Sequence, residues 1–150
     1  MAERIGVIGA GAWGTALAIM LAEKGHDVTL WMYEKDLAEE ESRTRENRVY
    51  LPGFTLPSSL KITSSLETAV TDLPVILSVT PSHTVRTVTG HYLPFLTQDA
   101  VIISASKGIE LNTLMPLSEV FKNILPGRYH SRLCFLSGPS FAKEVAQKMP

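Results

Sequence analysis

The sequence predicts an α/β domain with a doubly wound, mainly parallel sheet, and three observations predict it. Short β-rich runs alternate with helical patterns along the 150 residues, the order expected of parallel strands joined by right-handed crossovers. The first apolar run, Ile5-Gly6-Val7-Ile8, leads directly into Gly9-Ala10-Gly11-Ala12-Trp13-Gly14. That Gly-x-Gly-x-x-Gly turn opens an amphipathic helical pattern, the strand–turn–helix context that gives the motif its meaning. A later run, Val75-Ile76-Leu77-Ser78-Val79, has the composition of a strand covered on both faces.

Each element can be justified in turn. The helix after the glycine turn runs from about Ala12 to Lys24, where Gly25 ends it. Val28-Thr29-Leu30-Trp31 forms the second strand, and Asp36 to about Arg45 a charged, solvated helix. Lys61-Ile62-Thr63 is a short strand, followed by a short helix through Val70 that Ser65 caps. After Val75–Val79 a helix is expected from about Ser82 to Val88. Val101-Ile102-Ile103-Ser104 is the next strand, and Leu114 to about Leu125 a helix closed by Pro126-Gly127. Leu133-Cys134-Phe135-Leu136 is a sixth strand. Gly138-Pro139-Ser140 then turns into a last helix over Phe141–Gln147. Tyr50 to Pro57 is a long irregular loop, of a length that often serves function.

Composition narrows the function classes. A hydrophobic fraction of 45% with 19% charged residues is that of a globular protein. Fourteen basic and fifteen acidic residues leave a net charge of -1, which gives no electrostatic reason to expect nucleic acid or an anionic membrane as partner. The apolar helical stretch Ala16–Ala22 falls far short of the roughly twenty residues that span a bilayer. Met1-Ala2-Glu3-Arg4 enters the first strand with no signal-peptide core, so a cytoplasmic location is expected. The single cysteine, Cys134, reads as a buried strand thiol. No His, Cys, Asp or Glu cluster has metal-ligand spacing, and no metal is expected.

The glycine loop is the chemical centre of the reading. Gly9 permits the tight turn, Gly11 lets backbone N–H groups approach a pyrophosphate, and Gly14 lets the helix press against the sheet. The helix N-terminus adds unpaired donors and partial positive charge, which suit an anion. This is the fingerprint of a Rossmann dinucleotide-binding domain, with Ala10, Ala12 and Trp13 in the same loop. At the end of the second strand, where an acid would bind the adenine ribose, stand Tyr33 and Glu34. The acid, and the absence of arginine from that turn, favour NAD over NADP. Arg43, Arg45 and Arg48 read as a solvated helix face.

Ligands of open parallel sheets bind at the carboxyl ends of the strands. Three loops meet that condition: Thr80-Pro81-Ser82-His83, Ser106-Lys107-Gly108 and Gly138-Pro139-Ser140-Phe141-Ala142. Pro81 falls in the cofactor-binding set. Lys107 is the one cation of these loops, close to where the nicotinamide end should lie, though a plain surface lysine fits as well. His83 reads as a loop cap rather than a donor to substrate. His26, His91 and His130 read as solvated turn residues.

Taken together, these segments resemble the NAD(P)-dependent glycerol-3-phosphate dehydrogenases. The resemblance is carried by Val7–Ala18, Leu30–Glu34, Asn47-Arg48-Val49-Tyr50-Leu51-Pro52-Gly53, Val79–His83, Ser106-Lys107-Gly108-Ile109-Glu110 and Ser137–Glu144, in the family's order. It implies reversible hydride transfer between a nicotinamide cofactor and the C2 carbon joining dihydroxyacetone phosphate and sn-glycerol 3-phosphate, feeding glycerophospholipid synthesis. It further implies that Trp13, Tyr33 and Ala142 contact the cofactor. Lys107 would touch cofactor and substrate as the catalytic cation, with Gly138 and Ser140 bordering the substrate. Bacterial relatives often carry serine at the position of Ala12 and a basic residue or histidine at that of Tyr33, which bears on cofactor choice. By this resemblance residues 1–150 are the cofactor-binding half. The helical C-terminal domain, with a further catalytic lysine and the Arg-Asn pair for the substrate phosphate, is absent from the chain. A homodimer remains open. The competing readings are another dehydrogenase, such as a ketopantoate reductase, and an NAD(H)-sensing module without turnover.

Overall fold

The structure, a computed structural model, describes residues 1–149. Six parallel strands form one sheet in the order β3-β2-β1-β4-β5-β6, comprising β1 (Arg4–Ile8), β2 (Asp27–Trp31), β3 (Lys61–Thr63), β4 (Val75–Ser78), β5 (Val101–Ser104) and β6 (Leu133–Phe135). The chain starts at the centre of the sheet, builds outward to β3, then crosses to β4 and builds to the other edge. This is the order of a Rossmann sheet, and it creates a switch point between β1 and β4. Register fixes that point: Ile8 is opposite Trp31 on one side and Ser78 on the other.

The strands alternate between two cores, as a sheet covered on both faces must. Ile5, Val7, Leu30 and Leu77 join one core with α1 (Ala12–Glu23), α2 (Lys35–Thr44) and α6 (Ala142–Ala146). Ile8, Ile76 and Ile102 join the other with α3 (Leu66–Val70), α4 (Val85–Tyr92) and α5 (Leu117–Ile124). Tyr92, Phe121 and Tyr129 are completely buried in the second core. Burial pushes the Tyr92 phenol up to about 12.

Several expectations are corrected. The helix α1 is not amphipathic: its residues from Gly14 to Ile19 are buried in succession. It lies between the sheet and α6, whose Ala142, Val145 and Ala146 pack against the same core. The helix expected from Ser82 begins at Val85, because Thr84 first closes a turn by donating its N–H and its hydroxyl to the Pro81 carbonyl. That turn is capped by Thr84 and not by His83, which is exposed. The helix expected from Leu114 begins at Leu117, after Pro116. Leu114 adopts a left-handed φ of 57° in a turn tied by the Ile109–Pro116 bridge. Cys134 is exposed rather than buried, since β6 is the outer strand and only Leu133 of its three residues is partly covered. Arg45 is not solvated. It leaves α2 at φ 57°, and its guanidinium donates to the carbonyls of Pro57 and Leu60.

Candidate functional site

The switch point opens into a groove of about 1000 Å³ at the carboxyl ends of the strands. That is the top of the range ordinary for small-molecule sites. Its floor is the glycine loop. Gly9 has φ +118°, a backbone that L side chains rarely adopt, and its N–H donates to the Trp31 carbonyl. At Gly14 a β-carbon would lie 1.8 Å from the Gly9 carbonyl oxygen, so only glycine lets α1 start this close to the turn. At Gly11 a β-carbon would meet nothing within 4 Å. The open side of Gly11 is therefore space for a ligand. No side chain caps α1 and no acid stands in its first turn, which leaves the helix N-terminus to an anion. These features fit the pyrophosphate of a dinucleotide.

Along the groove from this floor lies the end of β2. Tyr33 is 80% exposed, its ring edge-on to Trp31 with centroids 6.2 Å apart. Glu34 follows as the residue preceding α2, and its carboxylate accepts a hydrogen bond of 2.8 Å from the Tyr50 hydroxyl. Tyr33, Glu34 and Tyr50 all line the groove, with Ser64 and Leu66 beside them. In the other direction, Pro81, Lys107, Ser140 and Ala142 line the same groove with Trp13. The Lys107 ammonium donates to the Ser140 carbonyl at 3.1 Å and lies 5.5 Å from the centre of the Trp13 ring. Thus the start of α1 and the loops after β5 and β6 meet at Lys107. His83 and His91 also line the groove. Gly138 does not. It borders a separate hollow of about 430 Å³ that shares Lys107 and Ser106 with the groove.

The Lys107 loop is anchored beneath its exposed face. Glu110, three residues on, is 7% exposed and takes both arms of the Arg86 guanidinium from α4, at 2.8 and 2.9 Å. The hydrogen bonds from Arg86 and then from Thr113 hold the Glu110 carboxyl down at about 2. Arg86 also donates to Asn123 of α5. One guanidinium therefore joins α4, α5 and the loop carrying Lys107.

The residues 4–150 match the sequence profile of the family described as NAD-dependent glycerol-3-phosphate dehydrogenase N-terminus. The chain belongs to this family. A curated relative from Geobacter sp. (strain M21), named glycerol-3-phosphate dehydrogenase [NAD(P)+], is 53% identical over all of this chain and 45% of its own length. A second, from Citrifermentans bemidjiense and of the same name, is 52% identical over the same shares. A crystal structure of glycerol-3-phosphate dehydrogenase from Coxiella burnetii superposes with a TM-score of 0.88 at 34% identity, covering 99% of this chain and 45% of that one. The chain thus spans about half the length of the curated relatives it matches.

Membership of this family favours the dehydrogenase reading over a ketopantoate reductase or a sensing module. Among the described residues no helix is long and apolar enough to cross a membrane, and no group of His, Cys, Asp and Glu could hold a metal ion.

Two positions that shape the surroundings of the glycine loop are not legible in the sequence. Asn47 is fully buried, and its amide donates to the Ala10 carbonyl at 2.9 Å and the Thr15 hydroxyl at 2.8 Å. It braces the glycine loop from the far side of α2, although the sequence shows it only as part of a family-like segment. Gly6, inside β1, is required by close approach: a β-carbon there would lie 2.0 Å from the Ala69 carbonyl oxygen of α3. An isolated strand glycine was the available signal.

Proposed function

We propose that this chain is the cofactor-binding half of a glycerol-3-phosphate dehydrogenase that interconverts dihydroxyacetone phosphate and sn-glycerol 3-phosphate with NAD(H). The observation that carries the proposal is the single groove joining the Gly9–Gly14 loop to Lys107. The N-terminus of α1 and the loop residues Ala10, Gly11, Ala12 and Trp13 would hold the pyrophosphate. Glu34 accepts a hydrogen bond from the adenine ribose, and the exposed ring of Tyr33 offers a face to the adenine. The nicotinamide, when bound, supplies or accepts the hydride. Pro81 and Ala142 would border that end, and Lys107, which lines the same groove, would act on the reacting carbon.

The Lys107 ammonium would donate a hydrogen bond to the substrate oxygen, where negative charge develops as the carbonyl is reduced, the kind of stabilisation that usually contributes most. Its bond to the Ser140 carbonyl and its seat over Trp13 hold it at the groove. Ser140 then borders the substrate side of the groove, with Gly138 in the adjoining hollow that shares Lys107. The remaining length of the relatives is read as a helical domain that supplies the phosphate grip and completes the acid–base chemistry. The exposed Phe135, Leu136 and Phe141 offer apolar surface for it to cover. The product feeds glycerophospholipid synthesis in the cytoplasm.

The test is a spectrophotometric assay of the full-length protein with NADH and dihydroxyacetone phosphate. NADH oxidation that depends on the substrate supports the reading. Absence of oxidation between pH 6 and 9, with NADH still bound, would leave a binding module without turnover.

A further inference from the structure

We propose that Tyr50 is a specificity-determining residue for the cofactor, holding the Glu34 carboxylate on the groove wall so that it selects a free ribose 2′-hydroxyl. The proposal rests on the reading of Glu34 as the ribose acceptor. Tyr50 belongs to the irregular loop between α2 and β3, a segment that contributes nothing to the sheet. Its position is nonetheless fixed. The Tyr50 N–H donates to the Asn47 side-chain oxygen at 2.9 Å, and the Leu51 N–H donates to the Asn47 carbonyl at 2.9 Å. Leu51 is buried in the core shared with α1. Since the Asn47 amide grips the glycine loop, the turn bearing Tyr50 is tied to the pyrophosphate floor.

From that turn the phenol reaches across to Oε1 of Glu34. Glu34 has no other duty in the fold, as its side chain does not cap α2. With one oxygen held by Tyr50, the other remains for the ribose. A 2′-phosphate would meet the same fixed anion. Two arginines that follow in the chain are engaged elsewhere: Arg45 by the carbonyls of Pro57 and Leu60, and Arg48 by Glu46 at 3.1 Å. Without the phenol hydroxyl, the partly exposed Glu34 side chain is free to turn toward water. It then captures the ribose less well and repels a 2′-phosphate less strongly. Both changes erode the preference for NADH.

The experiment measures kcat/KM for NADH and NADPH in the full-length protein, for wild type, Tyr50→Phe, Glu34→Ala and the double variant, with melting temperatures alongside. Tyr50→Phe is expected to lower the NADH-over-NADPH ratio about fivefold, the effect of one hydrogen bond to a charged, exposed group. The melting temperature should hold. In the Glu34→Ala background the same substitution should leave the ratio where it is. A ratio unmoved by Tyr50→Phe but lowered by Glu34→Ala overturns the role of Tyr50 and leaves Glu34 standing. Equal shifts in both backgrounds overturn it too, because Tyr50 would then act on the nucleotide directly. A wild type without preference for NADH removes the reading of Glu34 and this proposal with it.

Discussion

Valine at Gly11 is expected to abolish dinucleotide binding while the protein stays folded, whereas alanine at Gly14 damages the fold first. The two positions lie three residues apart in one loop, yet their surroundings are opposite. Gly11 has φ −67° and ψ −176°, extended backbone open to any residue, and a β-carbon there meets nothing within 4 Å. The folded state loses only the N-cap preference of glycine over valine, about 1 kcal/mol. The ligand loses more. The branched side chain fills the approach to the helix N-terminus, and forfeiting even two hydrogen bonds from N–H groups to a charged phosphate costs about 3 kcal/mol or more, a hundredfold in affinity.

At Gly14 the added carbon lies 1.8 Å from the Gly9 oxygen and 3.0 Å from the Gly9 carbonyl carbon. Both partners are backbone, so the helix start must move by about 1.5 Å to restore ordinary contact. Overpacking of this kind costs about 1–3 kcal/mol. Urea unfolding followed by tryptophan fluorescence reports stability, and NADH fluorescence titration reports affinity. A folded Gly11→Val protein that binds NADH within threefold of wild type would refute the assignment of this loop. A Gly14→Ala protein as stable as wild type would refute the close approach.

Lys107→Ala in the full-length enzyme should lower kcat/KM by about a hundredfold, about 2.7 kcal/mol of transition-state stabilisation. NADH affinity should change far less, and a loss below tenfold would reduce Lys107 to a loop lysine. Gly6→Ala should destabilise by about 1–3 kcal/mol, because the added carbon would lie 2.0 Å from the Ala69 backbone oxygen; an unchanged urea midpoint would contradict this. Glu41 of α2 is 2% exposed, and neither carboxylate oxygen has a hydrogen-bond partner among the described residues. Burial first, then Glu40 and Glu34, push its pKa from 4.5 up to about 7. Below about pH 4.5 the group is protonated whether folded or not, so it costs nothing. As pH rises to about 7 the unfolded chain releases the proton that the folded chain keeps, and about 3 kcal/mol of stability is lost. Glu41→Gln should therefore gain melting temperature over wild type as pH goes from 5 to 8, and a constant difference would show that Glu41 is solvated.

The strands were legible because a sheet buried on both faces demands apolar runs of strand length, and Ile5–Ile8, Val75–Val79 and Val101–Ser104 supply them. The glycine loop was legible for the same local reason, since turn, close approach and helix start all fall within six residues. What stayed hidden depends on contacts between distant segments. Cys134 and Ile103 sit in equally apolar runs, and only their place in the sheet order separates an exposed thiol from a partly buried isoleucine. Arg45 looks like any charged helix residue until the loop at Pro57–Leu60 wraps around its guanidinium. The late start of α4 turned on one threonine hydroxyl, and sequence boundaries rarely resolve such detail.

The contact of α6 with α1 bears on the order in which the protein can assemble. The strand β1 is made first but lies in the middle of the sheet, so one of its two ladders waits for β4. The wall of the groove at Ala142 waits longer still, until a helix of five residues folds back on the first helix of the chain. So short a helix has little stability of its own and holds through its packing and the Lys148–Glu23 ion pair at 3.2 Å. During synthesis the cofactor meets a complete groove only after the sheet is closed. A ligand that spans the groove then binds only the assembled form, so its binding energy is added to the stability of α1 and α6 together.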